Sequence, residues 1–198
     1  MGRITNIAIA GVGGQGIVLA SDVIAHAAFC AGHDVKKNEI HGMAQRGGSV
    51  ISEVRFGPAV HSPVITDGEV DVLLALELLE GLRSAHRLRR GGLVIADDLR
   101  IRPAVRPPGA PDYPDNVADR LRAAAPRALI ISASALATQA GNARAANTVL
   151  LGALSEQLSL PGEAWRDALR ASLRPGLVEV NLRAFQLGQE AARQQREA

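Results

Sequence analysis

The chain has 198 residues, with 22 Lys and Arg against 20 Asp and Glu, and is 47% hydrophobic but only 3% aromatic. That length carries one ordinary domain with its own core, and so few aromatics require that core to be built from Val, Ile, Leu and Ala, as in buried parallel strands covered by helices. Nearly balanced charges spread along the sequence argue against nucleic-acid binding, and the single cysteine excludes both an internal disulfide and a four-thiolate cluster.

The first element is a β-branched strand over Ile4 to Ala10, followed by a turn over Gly11 to Gly16 and a helix over Ile17 to Ala31 that is apolar almost all round. Cys30 lies in the apolar stretch HAAFCAG and reads as a buried structural thiol. Asp34 to Asn38 is expected as a second strand. A long polar, glycine-rich loop, EIHGMAQRGG, then leads to an alternating strand over Ser49 to Phe56. Val70 to Leu76 is short and apolar enough for a buried strand. Leu79, Leu82 and His86 continue at helical spacing to a stop at Gly91-Gly92, which puts Arg83, Arg87, Arg89 and Arg90 at a helix C-terminus, where cations suit the dipole. Leu93 to Ala96 reads as a strand ending at Asp97-Asp98, a pair expected to be a solvated turn or, less simply, a metal or ribose ligand.

The proline-rich stretch Arg102 to Pro114 must be irregular, because prolines exclude interior ladders. Val117, Leu121 and Ala124 mark a short helix, Ala128 to Ser132 a strand, and Leu136 to Leu158 an Ala-rich helical stretch divided near Gly141-Asn142. A helix over Pro161 to Leu173 carries Trp165. The last helix buries Val178, Leu182 and Phe185 and runs into RQQREA, expected to fray. The whole reads as α/β, a Rossmann-like doubly wound fold with a mostly parallel sheet and helices on both faces. One domain over residues 1–190 and a polar tail over 191–198 are expected. No run reaches the ~20 apolar residues of a membrane span, and the N-terminus is unlike a signal peptide, so the expectation is a cytoplasmic protein with no membrane association.

Two segments carry candidate chemistry. In GVGGQG, Gly11, Gly13 and Gly16 match the G-x-G-x-x-G spacing between a strand and a helix. There a phosphate can approach bare backbone and the amides of a helix N-terminus. Gly11, Gly13, Gly14, Gln15 and Gly16 are therefore candidate cofactor-binding residues; close strand–helix packing with no ligand explains the glycines equally. A dinucleotide site would show an acidic residue at the end of the second strand, whereas this strand ends Lys36-Lys37-Asn38. Lys36 and Lys37 stand as candidates for an anion such as a 2′-phosphate, or as a plain surface pair. The second segment is the loop His41, Gly42, Met43, Gln45, Arg46, Gly47 and Gly48, whose polar side chains on permissive backbone suit a site or an interface. Arg46 suits carboxylate or phosphate recognition, while His41 reads more simply as a locally bonded imidazole. There is no C-x-x-C, P-loop or G-x-S-x-G, no metal site is expected, and no catalytic residue is legible.

Four blocks in order, GVGGQGIVLASDVIAHAA, KKNEIHGMAQRGGSVISEVRFG, NTVLLGALSEQL and VEVNLRAFQLG, make the chain resemble the gamma-type module of the 2-oxoacid:ferredoxin oxidoreductases, nearest to the indolepyruvate branch. The resemblance covers nearly the whole chain except the proline-rich stretch. It implies a complex that oxidatively decarboxylates arylpyruvates to acyl-CoA, with CoA as co-substrate. It also implies that thiamine pyrophosphate and iron-sulfur clusters lie on a larger partner subunit and pass electrons to ferredoxin. The module itself would carry no cofactor and have no activity alone. It transfers no catalytic residue, only the glycine turn and the loop from His41 to Gly48 as a signature, the loop facing the partner near the substrate or CoA path. The rival readings are a free-standing NADP- or flavin-dependent reductase using the glycine turn with Lys36-Lys37, and a non-catalytic homodimeric interaction module in which the turn is architectural.

Overall fold

The computed structural model describes residues 3–41, 48–103, 109 and 112–197. Among them, a six-stranded sheet runs in the order β2-β3-β1-β4-β5-β6. The strands are β1 (Thr5–Val12), β2 (Asp34–His41), β3 (Ser49–Gly57), β4 (Val70–Ala75), β5 (Leu88–Asp97) and β6 (Ala128–Ile131). β1, β4, β5 and β6 are mutually parallel, and β3 alone is reversed, pairing antiparallel with both β1 and β2. The sheet is thus mostly parallel, as expected, with one reversed strand inserted where a uniformly wound fold would place the second strand beside the first.

Alternation along β1 shows how the two faces are filled. Ile7 and Ile9 point into a cluster with α1 (Ile17–Cys30), α4 (Ala133–Ala140), α5 (Ala146–Ser155), α6 (Gly162–Ser172) and α7 (Pro175–Glu197). Ala8 and Ala10 point the other way, into a cluster reached by α3 (Val117–Ala124) through Leu121, while α2 (Leu78–Ser84) packs on the same strands. Large residues face the deep layer and small ones the shallow layer. Each buried Ile or Leu contributes about 1.5–3 kcal/mol. α1 is apolar almost all round because it lies between the sheet, α5 and α6. α5 and α7 cross backbone to backbone: a Cβ at Gly152 would stand 1.9 Å from the Phe185 carbonyl oxygen, and one at Gly188 1.9 Å from that of Val149.

Several local expectations change. β2 continues to His41 because Ile40 and His41 pair with Ile51 and Val50, so the expected ten-residue loop shrinks to the connection of a hairpin and His41 belongs to a strand. Gly91-Gly92 does not stop a helix. α2 ends at Ser84, a 3-10 turn covers Ala85–Arg87, and both glycines lie within β5, which puts Arg89 and Arg90 on a strand rather than at a helix end. Cys30 is exposed, not buried, since it lies at the last turn of α1, past the helix's buried face. The C-terminal segment does not fray but continues α7 to Glu197. Arg193 pairs with Glu156, Gln195 donates to the Ile130 carbonyl at 3.0 Å and Arg196 to that of Glu156 at 2.6 Å, so its polar side chains are fastened. Among the described residues, no helix is long and apolar enough to cross a membrane.

Candidate functional site

Winding reverses between β1 and β4: from β1 the chain moves through α1 toward β2, and from β4 it moves the other way toward β5. At such a point the loops at the carboxyl ends of adjacent strands diverge and leave a crevice. A cleft of about 470 Å³ opens there. It is bounded by Gly14, Gln15, Gly16 and Leu19 after β1, Leu76 after β4, Asp97 and Leu99 at the end of β5, Ser134 on α4, and Arg144, Asn147 and Leu150 before and along α5.

The glycine turn forms one wall, and Gln15 ties it together. The Gln15 side chain accepts from the Val12 amide at 2.6 Å and donates to the Leu76 carbonyl at 2.7 Å, spanning the switch between β1 and β4. Gly11 leaves room for it, because a Cβ there would lie 2.8 Å from Gln15 Oε1. Gly16 has φ +80°, a left-handed conformation that costs glycine little, and its carbonyl accepts from Asn147 at 3.2 Å. Behind this bond Thr148 donates to Asn181 at 2.7 Å, and Asn181 donates to the Leu177 carbonyl at 2.8 Å. All three polar residues are buried. The NT of NTVLLGALSEQL and the Asn of VEVNLRAFQLG thus form one buried relay that ends on the glycine turn.

Gly13 donates to the carbonyl of Gly48 at 3.0 Å, and register aligns Val12 with Ser49 and His41 with Val50. The connection between β2 and β3 therefore leaves the sheet at the same end as the glycine turn and is tied to it at Gly48. Gly42, Met43, Gln45, Arg46 and Gly47 lie outside the described residues. Lys36 and Lys37 are not at this site. Lys37 is level with Val54 and hence with Ile7, five residues below Val12, so about 17 Å separates it from the turn along the strands. β3 also intervenes between β2 and β1. Lys37 instead pairs with Asp22 of α1 and with Glu39, and Lys36 with Asp34. Burial acts against the Lys37 ammonium, but these two carboxylates hold its pKa above the ordinary value.

Asp97 and Asn147 bound the cleft but were not prominent in the sequence. The Asp97-Asp98 pair is not one solvated turn: Asp98 is exposed and accepts from Ser132, whereas Asp97 is 1% exposed. Asp97 accepts from the Ala133 amide at 3.0 Å and the Ser134 hydroxyl at 2.7 Å, which places a carboxylate at the N-terminus of α4. Burial is the main cause of its raised pKa, against the opposing pull of these donors, with the Asp98 charge adding to the rise. Because the folded value exceeds the unfolded one of about 3.8, the stabilisation from this group is full below that value and lost as pH rises through the folded one. Asp97→Asn keeps an acceptor for the Ala133 amide and removes the titration. Its melting temperature is expected to gain on the parent's as pH rises from about 4 to about 7; a difference that stays constant would contradict this.

Arg144, exposed at the rim, is the cation among the described cleft residues. Leu19, Leu76, Leu99 and Leu150, with Ala143 and Ala146, make an apolar side, and Gln15, Asp97, Ser134 and Asn147 a polar one. The arrangement suits a ligand with an apolar body and polar or anionic ends rather than a metal. Among the described residues, no group of three or more His, Cys, Asp and Glu converges. A lone exposed thiol also does not fit an iron-sulfur cluster.

Residues 6–191 match the family described as pyruvate ferredoxin/flavodoxin oxidoreductase. The chain is 39% identical, over 96% of its own length and 96% of the relative's, to the indolepyruvate oxidoreductase subunit IorB of Thermococcus kodakarensis. Among solved structures it is similar to a keto/oxoacid ferredoxin oxidoreductase gamma subunit from Geobacter sulfurreducens. That match has a TM-score of 0.73 at 28% identity and covers 96% of this chain and 99% of the other. The fold also recurs within the 2-oxoglutarate:ferredoxin oxidoreductase of Magnetococcus marinus, whose structure holds 2-oxoglutarate, coenzyme A and succinyl-CoA. There the TM-score is 0.73 at 24% identity, covering 97% of this chain and 31% of that one.

Proposed function

Because this chain belongs to the pyruvate ferredoxin/flavodoxin oxidoreductase family, we propose that it is the cluster-free subunit of an indolepyruvate-type oxidoreductase. The complex oxidises an arylpyruvate and CoA to acyl-CoA and carbon dioxide, and the two electrons leave through iron-sulfur clusters to ferredoxin. Thiamine pyrophosphate and the clusters reside on a larger partner subunit. The observation that carries this reading is the near end-to-end match to a relative that is itself a subunit, in a chain with a single thiol.

This chain's part is to bind and orient rather than to perform the chemistry. The end of the sheet bearing the glycine turn, the cleft and the signature loop faces the partner and the path of CoA. The cleft's apolar side, from Leu19, Leu76, Leu99 and Leu150, with Arg144 at the rim supports this assignment. Gly11, Gly13, Gly14, Gln15 and Gly16 shape that end through the Gln15 and Asn147 bonds, and His41 to Gly48 supply the contact. The reductase reading is weaker, since Lys36 and Lys37 stand far from the turn they would have to serve.

The test is reconstitution. Coexpressed with its larger subunit, the chain should co-purify and support arylpyruvate-dependent ferredoxin reduction. Arg46→Ala should leave its melting temperature unchanged and lower turnover about tenfold, a loss of roughly 1.4 kcal/mol in the transition state. Full turnover in the variant would remove Arg46 from the functional surface, and failure to co-purify would remove the subunit reading itself.

A further inference from the structure

The sequence disperses its arginines, but the fold gathers several at one place. Three adjoining depressions lie at the amino ends of β1, β4, β5 and β6, the end of the sheet opposite the cleft. Among the described residues, Arg127 borders all three, and Arg3, Arg89, Arg90 and Arg196 border one or two each, against one carboxylate, Asp71. Five positive charges against one, in a chain whose formal net charge is +2, leave the remainder net negative. Of the nearby acids, Glu156 is engaged by Arg193, though its charge also reaches Arg196, and Asp67 is engaged by Arg87.

Four of the five guanidiniums, those of Arg3, Arg89, Arg127 and Arg196, are also held in place. Asp71, itself fixed by the Asn6 amide at 2.9 Å, takes both Arg3 and Arg89. Arg89 further donates to the Arg90 carbonyl at 3.1 Å, Arg127 to that of Gly91 at 3.2 Å, and Arg196 to that of Glu156 at 2.6 Å. Each keeps further N–H donors in a planar fork that matches a carboxylate. Among the described residues, no aromatic side chain borders the depressions, so stacked bases would find no platform there.

We propose that this basic end docks an acidic protein surface, rich in Asp and Glu and separate from the partner at the loop end. Spread over three shallow depressions, the arginines suit an extended run of carboxylates better than one enclosed anion. The proposal does not depend on the oxidoreductase reading.

A fluorescent peptide of about ten glutamates, titrated with the full-length chain and followed by anisotropy, tests it. Saturable binding is expected at low salt, weakening about tenfold or more near 0.2 M salt as screening shortens the reach of exposed charges. Arg90→Glu combined with Arg127→Glu should weaken binding at least tenfold with the melting temperature unchanged, because both side chains are exposed. Arg122→Glu combined with Arg166→Glu makes the same charge change on exposed positions of α3 and α6 and should retain binding. Absence of binding, or equal loss in the two double variants, overturns the proposal. So does stoichiometric displacement of the peptide by inorganic phosphate, or tighter binding of a single-stranded RNA of equal length.

Discussion

Gly152→Ala is expected to lower the melting temperature by roughly 10 °C, since its cost should reach the upper range for point changes, about 4 kcal/mol, in a domain of this size. In an isolated helix the change would help, because alanine is the better helix former by about 1 kcal/mol. Here the new methyl would stand 1.9 Å from the Phe185 carbonyl oxygen and 2.8 Å from its carbon. Backbone cannot turn away as a flexible side chain can, so α5 and α7 must separate. They carry Val149, Leu150, Leu154, Ala184 and Phe185 of the main core, and separating them opens the layer beneath. Gly188→Ala, which would meet the Val149 carbonyl oxygen at the same distance, should cost as much, and the double variant less than the sum, because both methyls force apart one crossing. Gly176→Ala, in the first turn of α7 with open space where its Cβ would go, is the control and should melt no lower than the parent. If Gly152→Ala melts with the control, the close crossing is not a feature of the folded chain.

The two kinds of glycine also show what sequence could and could not reveal. Those of GVGGQG advertise themselves by spacing and by their place between a strand and a helix, and the turn is where that pattern puts it. Gly152 and Gly188 are single glycines inside helical stretches, and only the crossing of α5 on α7 gives them meaning. The layered α/β class was legible because aliphatic strand patterns alternate with helical ones along the chain. The reversed β3 was not, since a strand that pairs on both sides has the same composition in either direction. Lys36 and Lys37 were misplaced for two reasons: β2 runs on to His41, which leaves them well short of the strand's end, and β3 stands between β2 and β1. Asp97 was undervalued because nothing in the pair Asp97-Asp98 tells which carboxyl turns inward to α4. The arginines at 3, 89, 90, 127 and 196 looked dispersed because their nearness comes from strand order and from where α7 docks.

Arg87→Met is expected to destabilise the chain by about 3–5 kcal/mol, by leaving Glu53 in the interior without a cation. Glu53 lies on β3 with no solvent exposure, and Arg87, in the 3-10 turn after α2, meets one of its oxygens at 2.5 Å. Arg87 also donates to the Ile65 carbonyl at 3.1 Å and pairs with Asp67 at 2.8 Å, which fastens the chain between β3 and β4 over the shallow face. Burial by itself would lower the guanidinium's pKa. The carboxylates of Glu53 and Asp67 outweigh it and hold the group above its ordinary value, and the same interaction lowers that of Asp67. A thioether of similar length replaces the packing of the stem but none of this charge. Glu53→Gln in the same chain should restore most of the loss, because the amide oxygen can still accept from Asn38 and the Ile65 amide while no charge remains to be compensated. Chemical denaturation of the parent, both single variants and the double variant measures the coupling directly. Equal stability of the double and the Arg87→Met variants would show that the loss comes from the stem and the Ile65 bond rather than from the stranded carboxylate.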